Sequence, residues 1–456
     1  MEQRTEAKNS NLQPRQIFHP LWRCALIAGL GGILFGFDFS VIAGTNELMK
    51  AEFGLTANQL GLTVSSAFWG SLMGILLAGY LSNRIGRRDS LKLAAVFFFV
   101  SAVGCGLSWD WYSLVFFRAL GGLGVGGAAV LGPMYIAEIA PSDRRGKLVC
   151  FFQFSIVLGI LLAYVSNAIV GRLGLDLPLE WRVKFSCEAL PAIAFLIALF
   201  GIPRSPRWLA SKQRLQEARE VLTYLGEPHV ETELADIQRS LTLEQGHNRA
   251  PLFQKKYFKP IMLGLIIGLF NNLAGINGVL YYLNSIFEAA GFSKTLSDVQ
   301  SVIIGFTNLV FTVLAMFFID RLGRKRLLLI GSMGLAPILF GISAIYYFKT
   351  CEHLLLYLLI GYIAFFAFSQ GAVIWVYLSE IFPNRVRDKG LSMGSFFAWT
   401  MGAVVAWFFP ILTGFSTALP FLVFGVSMIL QFIVVALVFP ETKGVALEDI
   451  ESVYGD

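Results

Sequence analysis

The sequence predicts an all-α membrane protein of twelve transmembrane helices, arranged as two six-helix pseudo-repeats with a cytoplasmic helical segment between them. Three observations predict it. Of 456 residues, 56% are hydrophobic and only 14% are charged, against about 25% charged in a typical soluble domain. Apolar runs of about 20 residues recur along the chain, the length that crosses about 30 Å of hydrocarbon. Short polar motifs also repeat at nearly constant separation between the two halves of the chain.

The apolar runs place spans near 22–44, 60–82, 90–108, 112–138, 147–171 and 183–202, then near 258–290, 297–319, 326–347, 353–379, 390–414 and 418–439. This divides the chain into a tail 1–21, a bundle 22–202, an intervening segment 203–256, a second bundle 257–439 and a tail 440–456. In the intervening segment, Leu209, Leu215, Ala218, Leu222 and Leu225 recur at helical spacing on a charged background, which predicts an amphipathic helix over 205–225; 231–243 predicts another. The first twenty residues are polar and lack the apolar region of a cleavable signal, so the first span is expected to stay as an uncleaved membrane helix.

Charge sets the expected orientation. Arg84, Arg87, Arg88 and Lys92 follow span two; Arg144, Arg145 and Lys147 follow span four; Arg321, Arg324, Lys325 and Arg326 follow span eight; Arg385, Arg387 and Lys389 follow span ten. All four connections lie on one side. Basic loops stay in the cytoplasm, so both termini are expected there, in a plasma or inner membrane. The net charge of +6 is thereby a topology signal and gives no reason to expect a nucleic-acid partner. The five cysteines form no CxxC pair and the four histidines no metal-ligand spacing. No metal, no cofactor and no enzyme chemistry is expected, with a proton as the one coupling ion to consider. The expected partners are a small solute and the bilayer, and the expected state is a monomer.

The repeat is specific. Asn83-Arg84-Ile85-Gly86-Arg87-Arg88 returns as Asp320-Arg321-Leu322-Gly323-Arg324-Lys325, 237 positions on (83 to 320). Pro203-Arg204-Ser205 returns as Pro440-Glu441-Thr442, again 237 on (203 to 440), and Glu138-Ile139-Ala140-Pro141 as Glu380-Ile381-Phe382-Pro383, 242 on (138 to 380). Parallel repeats of this kind belong to carriers that bind at the membrane midplane between the halves.

Few ionisable residues stand inside the spans, and each is costly there. They are Asp38 in span one, Arg118 at the start of span four and Glu188 in span six. Asp38 and Arg118 can pair. Two readings follow: a proton switch, in which breaking the pair changes the carboxylate's affinity for a proton, or a static ion pair fixing spans one and four. Amides and rings suit a sugar, whose hydroxyls need planar donors and acceptors and whose C–H faces need aromatic surface. Gln153, Asn271, Asn272, Asn277 and Asn308 are the amides within apolar segments; Tyr281 lies four residues after Asn277, and Trp375 and Trp399 lie in spans ten and eleven. Amides of this kind also serve as interhelical hydrogen bonds. Gly275 is where span seven is expected to break. The glycines of 121–127 predict close helix packing.

Taken in order, FGFDFSVIAG (35–44), NRIGRR (83–88), PMYIAEIAPSDRRGKL (133–148), LAGINGVLYYLNSIF (273–287), WVYLSEIFPNRVR (375–387) and PETKG (440–444) resemble the sugar porter branch of the major facilitator superfamily, over nearly the whole chain. The resemblance implies that fold and monosaccharide transport by alternating access. It implies sugar contacts from Phe35, Gln153, Asn271, Asn272, Asn277, Tyr281, Asn308, Trp375 and Trp399. It matches Asp38 to the aspartate of bacterial proton–sugar symporters, where facilitative glucose transporters carry a neutral residue, with Arg118 and Glu188 beside it. It implies a cytoplasmic gate from Arg84, Arg88, Glu138, Arg145, Asp320, Arg321, Arg324, Glu380, Arg387 and Glu441. An uncoupled facilitator, a membrane sugar sensor, and a polyol as substrate remain the alternatives. The chain departs from the pattern where Asn271-Asn272 replaces paired glutamines, where Ala398 and Gly402 flank Trp399, and where Asn83 and Arg204 replace acids. These last two departures predict a weaker gate in the first half.

Overall fold

The computed structural model describes residues 20–141, 144–246, 251–383 and 385–444. The predicted tails lie largely outside the described residues. Within them the chain is helical, without strands, and twelve helical segments are long and apolar enough to span a membrane: Pro20–Gly44, Ala57–Ile85, Arg87–Gly106, Trp111–Ile139, Arg145–Gly171, Leu177–Gly201, Lys255–Tyr281, Lys294–Ile319, Arg324–Phe348, Glu352–Glu380, Arg387–Phe415 and Leu419–Val438. They are numbered here as spans one to twelve.

Span seven is shorter than its apolar run. Gly275 adopts φ +91°, a left-handed conformation open chiefly to glycine, and splits Phe258–Leu273 from Ile276–Tyr281. A second break at Tyr282 sets off Leu283–Ala289 as a separate helix. The predicted amphipathic helix over 205–225 is likewise two helices, Pro206–Ser211 and Leu215–Leu225. Gln213 turns left-handed at φ 61° between them, and Trp208, Leu209, Ala218 and Leu222 then fold onto one core with Leu234 of the following helix.

Glycines bring the spans to backbone contact. A Cβ on Gly70 would lie 2.0 Å from the Ala119 carbonyl oxygen, one on Gly122 2.1 Å from that of Ala67, and one on Gly126 2.1 Å from that of Ser71. Spans two and four therefore interlock through small residues, and with no water to drive helix association that contact is the attraction. Spans one and five do the same: a Cβ on Gly36 would fall 1.9 Å from the Ile156 carbonyl oxygen and one on Gly159 2.1 Å from that of Ile33.

The two halves repeat at the end that carries the basic loops. Gly86 and Gly323, at φ 91° and 86°, close spans two and eight. Arg87 pairs with Glu138 at 2.8 Å and Arg324 with Glu380 at 2.7 Å. Ser205 donates to Glu138 at 2.5 Å and Thr442 to Glu380 at 2.6 Å. Tyr135 donates to the Pro203 carbonyl at 2.9 Å and Tyr377 to that of Pro440 at 3.3 Å.

Candidate functional site

Asp38 occupies the last turn of the first helix, Pro20–Val41, and is fully buried. Arg118 of span four, 1% exposed, donates through Nη1 to the Asp38 carboxylate, and to the Asp38 backbone carbonyl at 3.0 Å. Gly121 permits this: a side chain there would meet Ser101 Oγ at 2.4 Å and Asp38 Oδ2 at 2.7 Å. Glu188, 2% exposed, lies at the kink of span six between Leu177–Ser186 and Ala189–Ala198, near enough to feel the charges of both Asp38 and Arg118. An ion pair buried this deeply adds little net stability, because desolvation offsets the attraction.

One face away from that pair, five rings from both halves pack together. Phe39 lies 4.5 Å from Phe68, 5.5 Å from Phe35, 5.6 Å from Tyr281 and 6.0 Å from Trp399, centroid to centroid. Phe35 lies 5.6 Å from Trp399, and Phe68 lies 5.7 Å from Tyr281 and 6.0 Å from Trp399. Phe35 and Phe39 are one helical turn apart and so share a face. Sequence reasoning named Phe35, Tyr281 and Trp399 but missed Phe39 and Phe68. The only signal was the i, i+4 aromatic spacing around Asp38, and rings are too common in apolar spans to stand out.

The amides sit beside these rings. Asn277 Nδ2 donates to Asn272 Oδ1 at 2.8 Å, while Asn272 Nδ2 donates to the carbonyls of Gly268 and Ala398, both at 2.9 Å. Asn271 Nδ2 donates to the Gln370 carbonyl at 3.2 Å. The pair is thus oriented by backbone, and part of its donor capacity is spent between helices. Asn272 and Asn277 meet at Gly402, where a Cβ would lie 2.9 Å from Phe68, 3.0 Å from Asn277 Nδ2 and 3.2 Å from Asn272 Oδ1. Amides and rings side by side offer the two kinds of surface a polyhydroxylated solute needs. Three further predicted residues share no hydrogen bond or ring contact with this cluster among the described residues. Gln153 is half-buried on span five, Asn308 is 7% exposed and accepts from Thr312 at 3.5 Å, and Trp375 is 40% exposed, outside the five packed rings.

The predicted gate residues divide. Arg87–Glu138 and Arg324–Glu380 each stay within one half, so they staple a half and do not join the two. Arg84 lies over the ring of Tyr80 at 4.6 Å; Arg145 and Arg321 are exposed. Arg88 pairs with Asp89 at 3.1 Å and donates to the Ile202 carbonyl at 3.2 Å. Glu441 accepts the backbone N–H groups of Arg324 at 2.9 Å and Lys325 at 3.2 Å, capping span nine. Arg387 Nε and Nη2 are buried without a hydrogen-bond partner among the described residues. The Asp320 side chain lies outside those described. Arg204, where an acid was expected, pairs with Asp89 of its own half at 2.9 Å, so its reversed charge meets a carboxylate.

The bonds between halves gather at the opposite end. Trp407 donates to Asn58 at 2.9 Å, Asn46 to the Tyr281 carbonyl at 2.7 Å and Tyr164 to the Leu280 carbonyl at 2.8 Å. Glu180 pairs with Lys184 at 2.8 Å and with Lys294 of the second half. A Cβ on Gly61 would lie 2.2 Å from the Trp407 carbonyl oxygen.

Comparison with known proteins agrees with this arrangement. The family described as Sugar (and other) transporter matches residues 24–454. The D-xylose-proton symporter of Escherichia coli (strain K12) is 36% identical, over 95% of this chain and 96% of its own. The arabinose-proton symporter of Bacillus subtilis (strain 168) is 36% identical, over 94% and 93%. A solved inward-open structure of the E. coli xylose transporter superposes with a TM-score of 0.85 at 37% identity, covering 95% of this chain and 99% of that one.

Proposed function

This chain belongs to the Sugar (and other) transporter family, and from that premise we propose that it carries a monosaccharide, a pentose first among candidates, by proton symport through Asp38. The halves rock about the central site, exposing it alternately to each face. The basic end faces the cytoplasm by the positive-inside rule, both termini lie there, and the chain works as a monomer in a bacterial-type inner membrane. The observation that carries the reading is the buried Asp38–Arg118 pair, one face away from rings and amides suited to a sugar. Arg118 supplies the counter-charge that an ionised Asp38 needs in so buried a place. Rearrangement of span one frees Asp38 to take a proton from the outer side, and re-forming the pair expels that proton inward. The relatives named as xylose-proton and arabinose-proton symporters support both the coupling and the pentose.

The test is uptake of labelled pentoses, hexoses and polyols into proteoliposomes, with and without an inward proton gradient. A gradient of one pH unit is expected to drive about tenfold accumulation at one proton per sugar. Asp38→Asn is expected to abolish accumulation and keep exchange. Equal uptake with and without the gradient would make the protein a facilitator and Asp38 a structural residue.

A further inference from the structure

The geometry points to Phe39 as the positioning residue that links sugar occupancy to the Asp38–Arg118 pair. This rests on the symport reading above and assigns a part to a residue that reading does not use. Asp38 and Phe39 are consecutive on one helix, so their side chains project about 100° apart from a common backbone. Asp38 faces Arg118 of span four. Phe39, 3% exposed, faces the ring cluster. Two of its neighbours, Phe35 and Phe68, come from its own half; the other two, Tyr281 and Trp399, come from the second half. Phe35, Tyr281 and Trp399 are themselves expected to touch sugar, and Phe68 borders the amides at Gly402.

The turn that carries both residues is anchored. Asn167 of span five donates to the Val41 carbonyl at 3.0 Å, and Thr45 donates back to the Ile42 carbonyl at 2.9 Å. A turn held in this way moves as a unit. Seating sugar against Phe35, Tyr281 and Trp399 fixes where the Phe39 ring can lie, and that fixes the direction of the Asp38 carboxylate. Parting the halves at the opposite end withdraws Tyr281 and Trp399, releases Phe39 and lets Asp38 swing from Arg118. An aliphatic residue at 39 fills the space but loses the stacked contact with Tyr281, whose interplanar angle is 22°.

The experiment compares the parent protein, Phe39→Leu and Phe39→Tyr in proteoliposomes with labelled D-xylose. Three quantities are read: accumulation under an inward proton gradient, counterflow without one, and the pH profile of the counterflow KM. With aromatic pairing lost, Phe39→Leu is expected to lose accumulation about tenfold more than it loses counterflow, and to flatten the pH profile. Phe39→Tyr is expected to restore all three. Phe39→Leu with the parent's accumulation and pH profile would overturn the inference. So would a proportional loss of counterflow and accumulation that Phe39→Tyr does not rescue, since that is a packing defect. Counterflow without accumulation in the parent itself is a separate result: it removes the symport reading, and the part assigned to Phe39 with it.

Discussion

Glu180 at the start of span six ion-pairs with Lys294 at the start of span eight, and that contact ties one half of the protein to the other on the face opposite the basic loops. Glu180 is shared: it also binds Lys184, whose side chain is fully buried and donates to the Gly44 carbonyl at 2.9 Å. Beside it, Asn284 donates to Asp298 at 2.6 Å. With the orientation proposed here, this is a lock on the outer face, closed in the state described.

Opening the outer face must break that lock. Lys294 is 39% exposed, so the pair is worth about 1 kcal/mol, and Lys294→Gln is expected to raise the outward-open fraction by roughly fivefold. Spin labels at the outer ends of spans one and seven read the change directly. An unchanged distance distribution would show that the pair is incidental.

Glu288, in the short helix after span seven, gives the same face a pH dependence. Burial, then the neighbouring charges of Glu47 and Asp298, push its carboxyl up to about 7, against the opposing pull of Lys294 and Lys184. A raised carboxyl favours the closed face while it holds its proton. Closure is therefore expected to be strongest below about pH 4.5, to weaken as pH rises through about 7, and to level off above. Glu288→Gln is expected to remove the slope in that window. The same label pair, titrated, tests it.

Gly61 cannot carry a side chain while the outer face is shut, because its Cβ would strike the Trp407 carbonyl. Gly61→Trp is expected to wedge spans two and eleven apart and trap the outward-facing form. Sugar binding measured calorimetrically should survive while counterflow falls by about a hundredfold or more. Normal counterflow would mean the helices can separate locally without opening the face.

Arg118→Leu leaves a buried carboxylate without its counter-charge, which costs about 3–5 kcal/mol when the partner stays ionised. The variant is expected to lose thermal stability in detergent. Adding Asp38→Asn should recover much of the loss, because the uncompensated charge is gone. Additive destabilisation in the double variant would show that the two residues are not energetically paired.

The spans were legible because hydrocarbon thickness imposes a run length, and Asp38, Arg118 and Glu188 because a charge in lipid demands a reason. The break at Gly275 was legible for the same local reason. The gate was harder to read. Arg84 and Arg88 look alike in sequence, yet one lies on Tyr80 and the other on Asp89, a choice made by tertiary geometry. The outer lock was invisible because Glu180, Lys184 and Lys294 stand at span ends, where charges are expected anyway. Phe39 and Phe68 were hidden among 41 phenylalanines, most with nothing but lipid or packing to serve.

Position 204 does not stand alone. Asp89 gathers Arg88, Lys92 and Arg204 at 3.1, 3.1 and 2.9 Å, so an acid at 204 would meet two cations as well as a carboxylate. In this chain, then, the residue that looks like a defect is one arm of a charge cluster, and the effect of changing it is set by that cluster and not by a single pair.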